Sequence, residues 1–293
     1  MVYNATKEGE NVSDSVAVKK SRVSLHRKRT MLQHESRVLQ LLQGHPAIPA
    51  VYAYGRFEHF EYLAMERLGP SVMDLMQHSS GAPLKTVLLI ANQMLSALEH
   101  IHSHGIIHRD IKPENILLSV QDPNGVRLID FGIARRYKTG IPSQYDPIVE
   151  RKSIVGTLTW ASLNAHYGID LSRRDDLESL AYTLFFLLRG DLPWRKALRY
   201  QGTAIANMLQ AREQKKIWTG IKLAKGYPSE FAEFLDYARS LSFGDEPDYS
   251  HFSRMFTDLY RRSAFEDDEM LVWSSSSPET RLLIRGPTVK VRF

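Results

Sequence analysis

The sequence predicts an α+β chain, a small strand-rich lobe followed by a larger helical one. Three observations point there. The β-like runs all lie before residue 67, two long helical patterns follow them, and the composition supports a real core. Of 293 residues, 43% are hydrophobic and 24% charged, which are ordinary globular values. Strands first and helices later is the order expected when sheet and helices segregate into separate layers.

The elements follow in order. Residues 1–15 are polar and weakly patterned, and Ser15 to Lys19 is a short β-like run. Met31, Glu35, Val38 and Leu42 recur at helical spacing. Gly44 to Tyr54 reads as loop and strand, and Glu61 to Glu66 as a further strand. From Leu84, the residues Val87, Leu88, Ala91, Leu95, Leu98 and Ile101 line one face of a long helix that stops near Gly105. A second helix spans Asp176 to Leu188 and is apolar almost all round at Leu184 to Leu188, the mark of deep burial. The remainder to about Trp273 reads mainly helical, and Ser274 to Ser277 with Pro278 open a tail of disordered composition. The expected units are a small lobe over 1–68, a large lobe over 69–273 and a disordered tail over 274–293.

Composition excludes several classes. Cysteine is absent, so disulfides, cysteine-ligated zinc, iron–sulfur clusters and thiol nucleophiles are ruled out. The longest nearly apolar stretch, Leu180 to Leu188, is too short for a bilayer. The polar, acid-bearing first fifteen residues lack a secretory pattern. The glycosylation-type tripeptides Asn4-Ala5-Thr6 and Asn11-Val12-Ser13 therefore read as chance matches, and a cytoplasmic or nuclear protein without a membrane partner is expected. No two of the 17 glycines are two or five apart and none precedes a lysine. Rossmann, Walker A and kinase-type Gly-rich patterns are all missing. The 38 basic and 33 acidic residues give a net charge of +5. The basic run Lys19 to Arg37, with Glu35 as its one acid, reads as a solvated face ahead of a nucleic-acid patch. His100, His102, His104 and His108 cluster, but no nearby carboxylate completes a zinc set.

The chemistry lies between the two long helices. Residues 108–115 read His-Arg-Asp-Ile-Lys-Pro-Glu-Asn, and residues 129–132 read Ile-Asp-Phe-Gly. Phosphoryl transfer requires a carboxylate at the acceptor hydroxyl, a cation on the migrating group and metal ligands at the nucleotide phosphates. Asp110 supplies the first, Lys112 the second, and Asn115 and Asp130 the third. At average residue usage this set of offsets arises by chance on the order of 10⁻⁹ per position, so a polar loop with capping acids is a poor account of it.

These motifs resemble those of eukaryotic protein kinases, and others resemble the casein kinase I family: Ala161-Ser162-Leu163-Asn164, the run Ser172 to Leu180, Leu192-Pro193-Trp194, Leu68-Gly69-Pro70-Ser71, Lys225 to Phe231 and Pro247-Asp248-Tyr249. The resemblance runs from about Val16 to Trp273. It implies a two-lobed kinase-like fold, Mg-ATP as cofactor and transfer of the γ-phosphoryl to Ser or Thr of acidic protein substrates by a monomer. Within it, Lys19 would sit at the phosphates and Glu35 would pair with it. On a strand Ala17 and Lys19 share one face, which favours Lys19 over Lys20. Met65 resembles the gatekeeper, the backbones of Glu66 and Leu68 the adenine contacts, and Leu117 and Ile129 the apolar floor. Asp176 resembles the helix acid that holds the catalytic-loop backbone.

Two departures accompany the resemblance. The first strand and Gly-rich loop of the family have no counterpart here, and residues 2–12 look like the end of the second strand and its turn. The N-lobe is thus expected to be incomplete, and a catalytically impaired pseudokinase or scaffold stands as the alternative. The second departure is Thr159, where the family carries an Arg that binds phosphate on a primed substrate or on the activation segment. Lys215 and Lys216 lie near another element of that basic site.

Overall fold

Strand β4 (Phe60–Glu66) is the axis of the first lobe. In the computed structural model it lies between β2 (Val16–Arg22) and β3 (Val51–Phe57), with β1 (Val2–Lys7) beyond β2, all antiparallel. The structure describes residues 2–7, 16–23, 30–77, 79–145, 147, 154–198, 203–265, 270–273 and 288–291. Alternation along β2 sorts its side chains. Val16 and Val18 join Ala53, Tyr62 and Ala64 on one face, while Ala17 packs against the main core with Leu63 and Met65 on the other. Lys20 lies over the rings of Phe60 and Tyr62, so the odd-numbered side, with Lys19, faces the interior of the molecule.

Helix α1 (Met31–Leu41) crosses this sheet and buries Leu32, Glu35, Val38 and Leu39, while Met31 stays exposed. Its start is tightly held. Thr30 accepts the N–H of Gln33 at 3.3 Å and donates its hydroxyl to the buried carboxylate of Glu61, which also takes the hydroxyl of Tyr54 at 3.0 Å. The orientation of α1 is therefore set from β3 and β4.

The second lobe begins with β5 (Leu68–Ser71), the short α2 (Val72–Leu75) and the long α3 (Leu84–Ser103). Short strands follow: β6 (Ile106–Ile107), β7 (Ile116–Ser119), β8 (Val126–Leu128) and β9 (Arg135–Arg136), arranged as a β5-β7-β8 sheet and a β6-β9 pair. Helices complete the lobe: α4 (Leu163–His166), α5 (Arg173–Arg189), α6 (Pro193–Leu198), α7 (Ala204–Ile217), α8 (Gly220–Leu223), α9 (Glu230–Ser240) and α10 (Tyr249–Arg262). The core is α5 buried between α3 and α9, with α10 against α3. Phe231 packs on Phe185 and Phe256, and Phe234 on Phe252 and Phe256. Among the described residues no helix is long and apolar enough to cross a membrane.

The expected α+β order is observed, with two differences. Helix α5 starts at Arg173 rather than Asp176, because Asp175 accepts the N–H of Ser172 at 2.7 Å and satisfies an otherwise orphaned donor at the helix start. The tail expected to be disordered contributes a strand, β10 (Thr288–Val291), parallel to β1 at the edge of the first sheet. Three of its four residues, Thr288, Val289 and Val291, are β-branched, a strand signal that the polar composition around Ser274 to Pro278 outweighed in the reading of the tail. Residues 274–287, the turn expected up to residue 12, and residues 24–29 of the basic run lie outside the described residues.

Replacing Thr30 by Val removes the cap and leaves Glu61 short of one donor. A loss of roughly 1–3 kcal/mol is expected, read as a lower urea midpoint; an unchanged midpoint would show that α1 is held elsewhere.

Candidate active site

The loop of residues 108–115 is shaped from below by one carboxylate. Asp176, buried in the first turn of α5, accepts the N–H of His108 at 2.7 Å and of Arg109 at 2.8 Å. It also takes the Nε2–H of His102 at 2.9 Å, and His102 Nδ1 meets the hydroxyl of Tyr249 at 2.5 Å. These bonds hold Arg109 in the left-handed region at φ 70°, a conformation costing about 1–3 kcal/mol for a non-glycine residue. Burial pushes the Asp176 carboxyl up, but His102, His108 and the backbone donors outweigh it and keep its pKa below the usual value. The Arg109 side chain donates to the carbonyl of Ile133.

His108 links this loop to the next segment. Its Nδ1 accepts the Asp110 N–H at 3.2 Å, so Nε2 carries the proton and donates to the Ile129 carbonyl at 3.0 Å. Burial lowers its pKa, consistent with the neutral ring. The ring meets Phe131 edge-on at 4.8 Å. Ile129 N–H donates to the Asn115 carbonyl at 2.9 Å.

With its backbone held, Asp110 presents a carboxylate gripped at both oxygens. Oδ2 accepts from Lys112 Nζ at 2.6 Å and, more weakly, from Asn115 Nδ2 at 3.4 Å. Oδ1 accepts from the N–H and hydroxyl of Thr157 at 2.9 and 2.8 Å. Gly156 makes the approach possible: its φ is +85°, and a Cβ there would lie 2.5 Å from the Arg109 carbonyl oxygen. Asn115 Nδ2 also donates to the Asp110 carbonyl at 2.9 Å, which leaves the amide oxygen as its ligating end.

The third part joins the two lobes. Lys19 Nζ lies 3.0 and 2.8 Å from the two oxygens of Glu35 and 3.1 Å from Asp130 Oδ1. Asp130 adopts φ 67° and ψ 63°, ahead of the buried Phe131. Burial opposes the Lys19 ammonium, but Glu35 and Asp130 more than offset it and its pKa is raised. Burial likewise works against the Asp130 carboxylate, yet Lys19 holds it below the usual value. His34 of α1 donates to the Ala134 carbonyl at 2.7 Å, tying the helix to the same segment.

Around this centre, Ala17 and Met65 are partners across the β2–β4 pairing. Leu117 and Ile129 are half-buried apolar residues outside the core cluster, and Leu117 points away from its core neighbours Ile116 and Leu118. Glu66, at the end of β4, spends its carboxylate on the Ala50 N–H and Arg127, which leaves its backbone and that of Leu68 at the lobe junction. Arg109, Arg135, Arg136 and Lys138 surround a small pocket with Asp170.

Three findings lay beyond sequence reasoning or go against it. Thr157 is a site residue with no local signal, because it lies 47 residues from the carboxylate it holds. Lys215 is fully buried and offers no charge to a ligand; of the two lysines expected near a basic site only Lys216 is exposed, and it pairs with Glu213. The histidine cluster divides: His102 and His108 serve the network above, while His100 stacks on His45 and meets His104 at a tilt. No metal-holding group of three His, Asp or Glu side chains occurs among the described residues. Residues 1–248 match the family model described as the protein kinase domain.

Asp176→Asn would set an amide N–H₂ against a backbone donor in a buried site. A loss of about 3–5 kcal/mol is expected, as for breaking a buried charge network, measured by denaturant unfolding; a loss under about 1 kcal/mol would contradict the role given to this carboxylate.

Proposed function

The chain belongs to the protein kinase domain family, and we propose that it is a Ser/Thr kinase of casein kinase I type, moving the γ-phosphoryl of ATP to a protein hydroxyl. The observation that carries the reading is the Asp110 carboxylate, held at both oxygens beside the Lys112 ammonium. A hydroxyl brought to Asp110 would lose its proton there as its oxygen bonds to the γ-phosphorus and the bridging P–O bond to ADP breaks. Lys112 stands where negative charge would build up. Lys19, oriented by Glu35, supplies the cation for the phosphates, and the apolar residues Ala17, Met65, Leu117 and Ile129 suit a base.

Family membership implies ATP and Mg²⁺ in general terms, and the residues fit them. Asp130 is an ionised carboxylate whose side chain keeps 46% exposure, and Asn115 has its amide oxygen to offer. Two oxygen donors leaving room for water and phosphate suit a hard cation. Mg²⁺ held there would neutralise phosphate charge. The exposed Arg135 and Arg136 at that pocket, where Lys138 pairs with Asp170 and Arg109 turns to Ile133, support acidic protein substrates.

Asp110→Asn is expected to lower turnover of an acidic Ser peptide by about 10²–10⁴-fold, with the Mg-ATP dissociation constant within threefold of the parent by calorimetry. Equal turnover would remove Asp110 from its role, whereas nucleotide binding without turnover in the parent would favour the scaffold alternative. Thr159→Arg adds a charge-assisted donor worth about 1.5–3 kcal/mol, roughly a 10–100-fold gain in preference for phosphorylated over unphosphorylated peptides. A parent that already prefers phosphorylated peptides a hundredfold would refute that assignment.

A further inference from the structure

Lys215, near the end of α7, is fully buried, and none of the chemistry above uses it. Its Nζ donates to the carbonyls of Leu158 at 3.0 Å and Ala161 at 2.6 Å, and lies 3.1 Å from His166 Nε2. Three acceptors match the three protons of an ammonium. The rings of Tyr182 and Trp194 flank it at 5.0 and 5.5 Å. Trp194 also reaches the same loop, its Nε1–H donating to the Thr159 carbonyl at 2.9 Å. Buried donors from α6 and α7 thus take the carbonyls of Leu158, Thr159 and Ala161.

What these donors hold is the turn that begins at Thr157. The N–H groups of Trp160 and Ala161 both donate to the Thr157 carbonyl at 2.9 Å, while the Thr157 N–H and hydroxyl hold Asp110 Oδ1. A buried amine with no carboxylate in bonding distance is an expensive way to fill space, and an apolar side chain would fill it at less cost. Its specific contribution is the pair of N–H donors that two buried carbonyls would otherwise lack. Burial pulls the Lys215 pKa down to about 7, opposed by Glu178. Loss of the proton would not release the loop. A neutral amine keeps two N–H groups for the carbonyls and accepts from the other tautomer of His166, which burial and Lys215 keep neutral.

We propose that Lys215 is a positioning residue for phosphoryl transfer: it clamps residues 158–161 so that Thr157 keeps the Asp110 carboxylate aimed. This rests on the kinase reading above. The test compares the full chain with Lys215→Met, which keeps the volume and removes the donors, and with Lys222→Met as an exposed lysine of α8. Amide exchange of Thr157, Trp160 and Ala161 should speed up at least tenfold in Lys215→Met, with α3 and α5 protected within twofold of the parent. Turnover of an acidic Ser peptide should fall at least tenfold, with the Mg-ATP dissociation constant within threefold; Lys222→Met should match the parent in all of these. Unchanged exchange at residues 157–161 overturns the proposal. So does loss of protection throughout α3 and α5, which would make Lys215 a general core residue. If the parent shows no turnover the kinase reading fails instead, and the exchange measurement still decides whether Lys215 holds the loop.

Discussion

The buried carboxylate of Asp176 is the constraint on which the rest of the site depends. It sits in the first turn of α5, where the helix dipole favours a negative charge. Two consecutive backbone donors and one imidazole converge on it. Through His102 and Tyr249 it draws α3 and α10 into the same network, so three helices of the large lobe meet at one group. Its folded pKa lies below the ordinary value. Its stabilisation is therefore complete at neutral pH and is lost only as the pH falls through that lowered value.

What the carboxylate stabilises is strain placed where chemistry needs it. Among the described residues, four non-glycine residues have positive φ: Glu58, Arg109, Asp130 and Ala264. Glu58 lies in the β3–β4 turn and Ala264 just after α10, while Arg109 and Asp130 each precede or carry a site carboxylate. Asp176 restrains Arg109, and Lys19 holds the Asp130 side chain from the other lobe. His108 connects the two segments, with Asp110 on one ring nitrogen and Ile129 on the other. Strained backbone of this kind persists only where several neighbours determine it together.

Much of this was legible in the sequence, and the rest was not for identifiable reasons. Asp110, Lys112, Asn115 and Asp130 sit within two short loops, so spacing alone points to them. The choice of Lys19 over Lys20 combined the two-residue period of a strand with the family resemblance that sets a small residue and a lysine on one face, and Lys20 does lie over aromatic rings instead. The resemblance pairs Glu35 with Lys19, and the two do meet across 16 residues with Glu35 buried. The role of Thr157 left no local trace and Lys215 was assigned to a basic surface site, since their partners are 47 and 54 to 57 residues away. The strand β10 was read as disordered tail on the strength of Ser274 to Pro278, although Thr288, Val289 and Val291 are β-branched.

The Asp110 side chain is thus restrained from two independent directions. Asp176 fixes the backbone that carries it, through α5 and α3. Thr157 fixes one of its oxygens, through a turn whose carbonyls are held by side chains of α6 and α7. Restraint at the backbone alone would leave the carboxylate free to rotate about its side-chain bonds; restraint at Oδ1 alone would let the loop shift beneath it. With both in place, the orientation of the group is built into folding and need not be established in each encounter with substrate. That is where a fold supplies rate: dipoles and donors already aimed incur no reorganisation at the moment of reaction. The buried polar groups that look costly in a stability balance, Asp176 and Lys215 above all, are the ones through which that orientation is held.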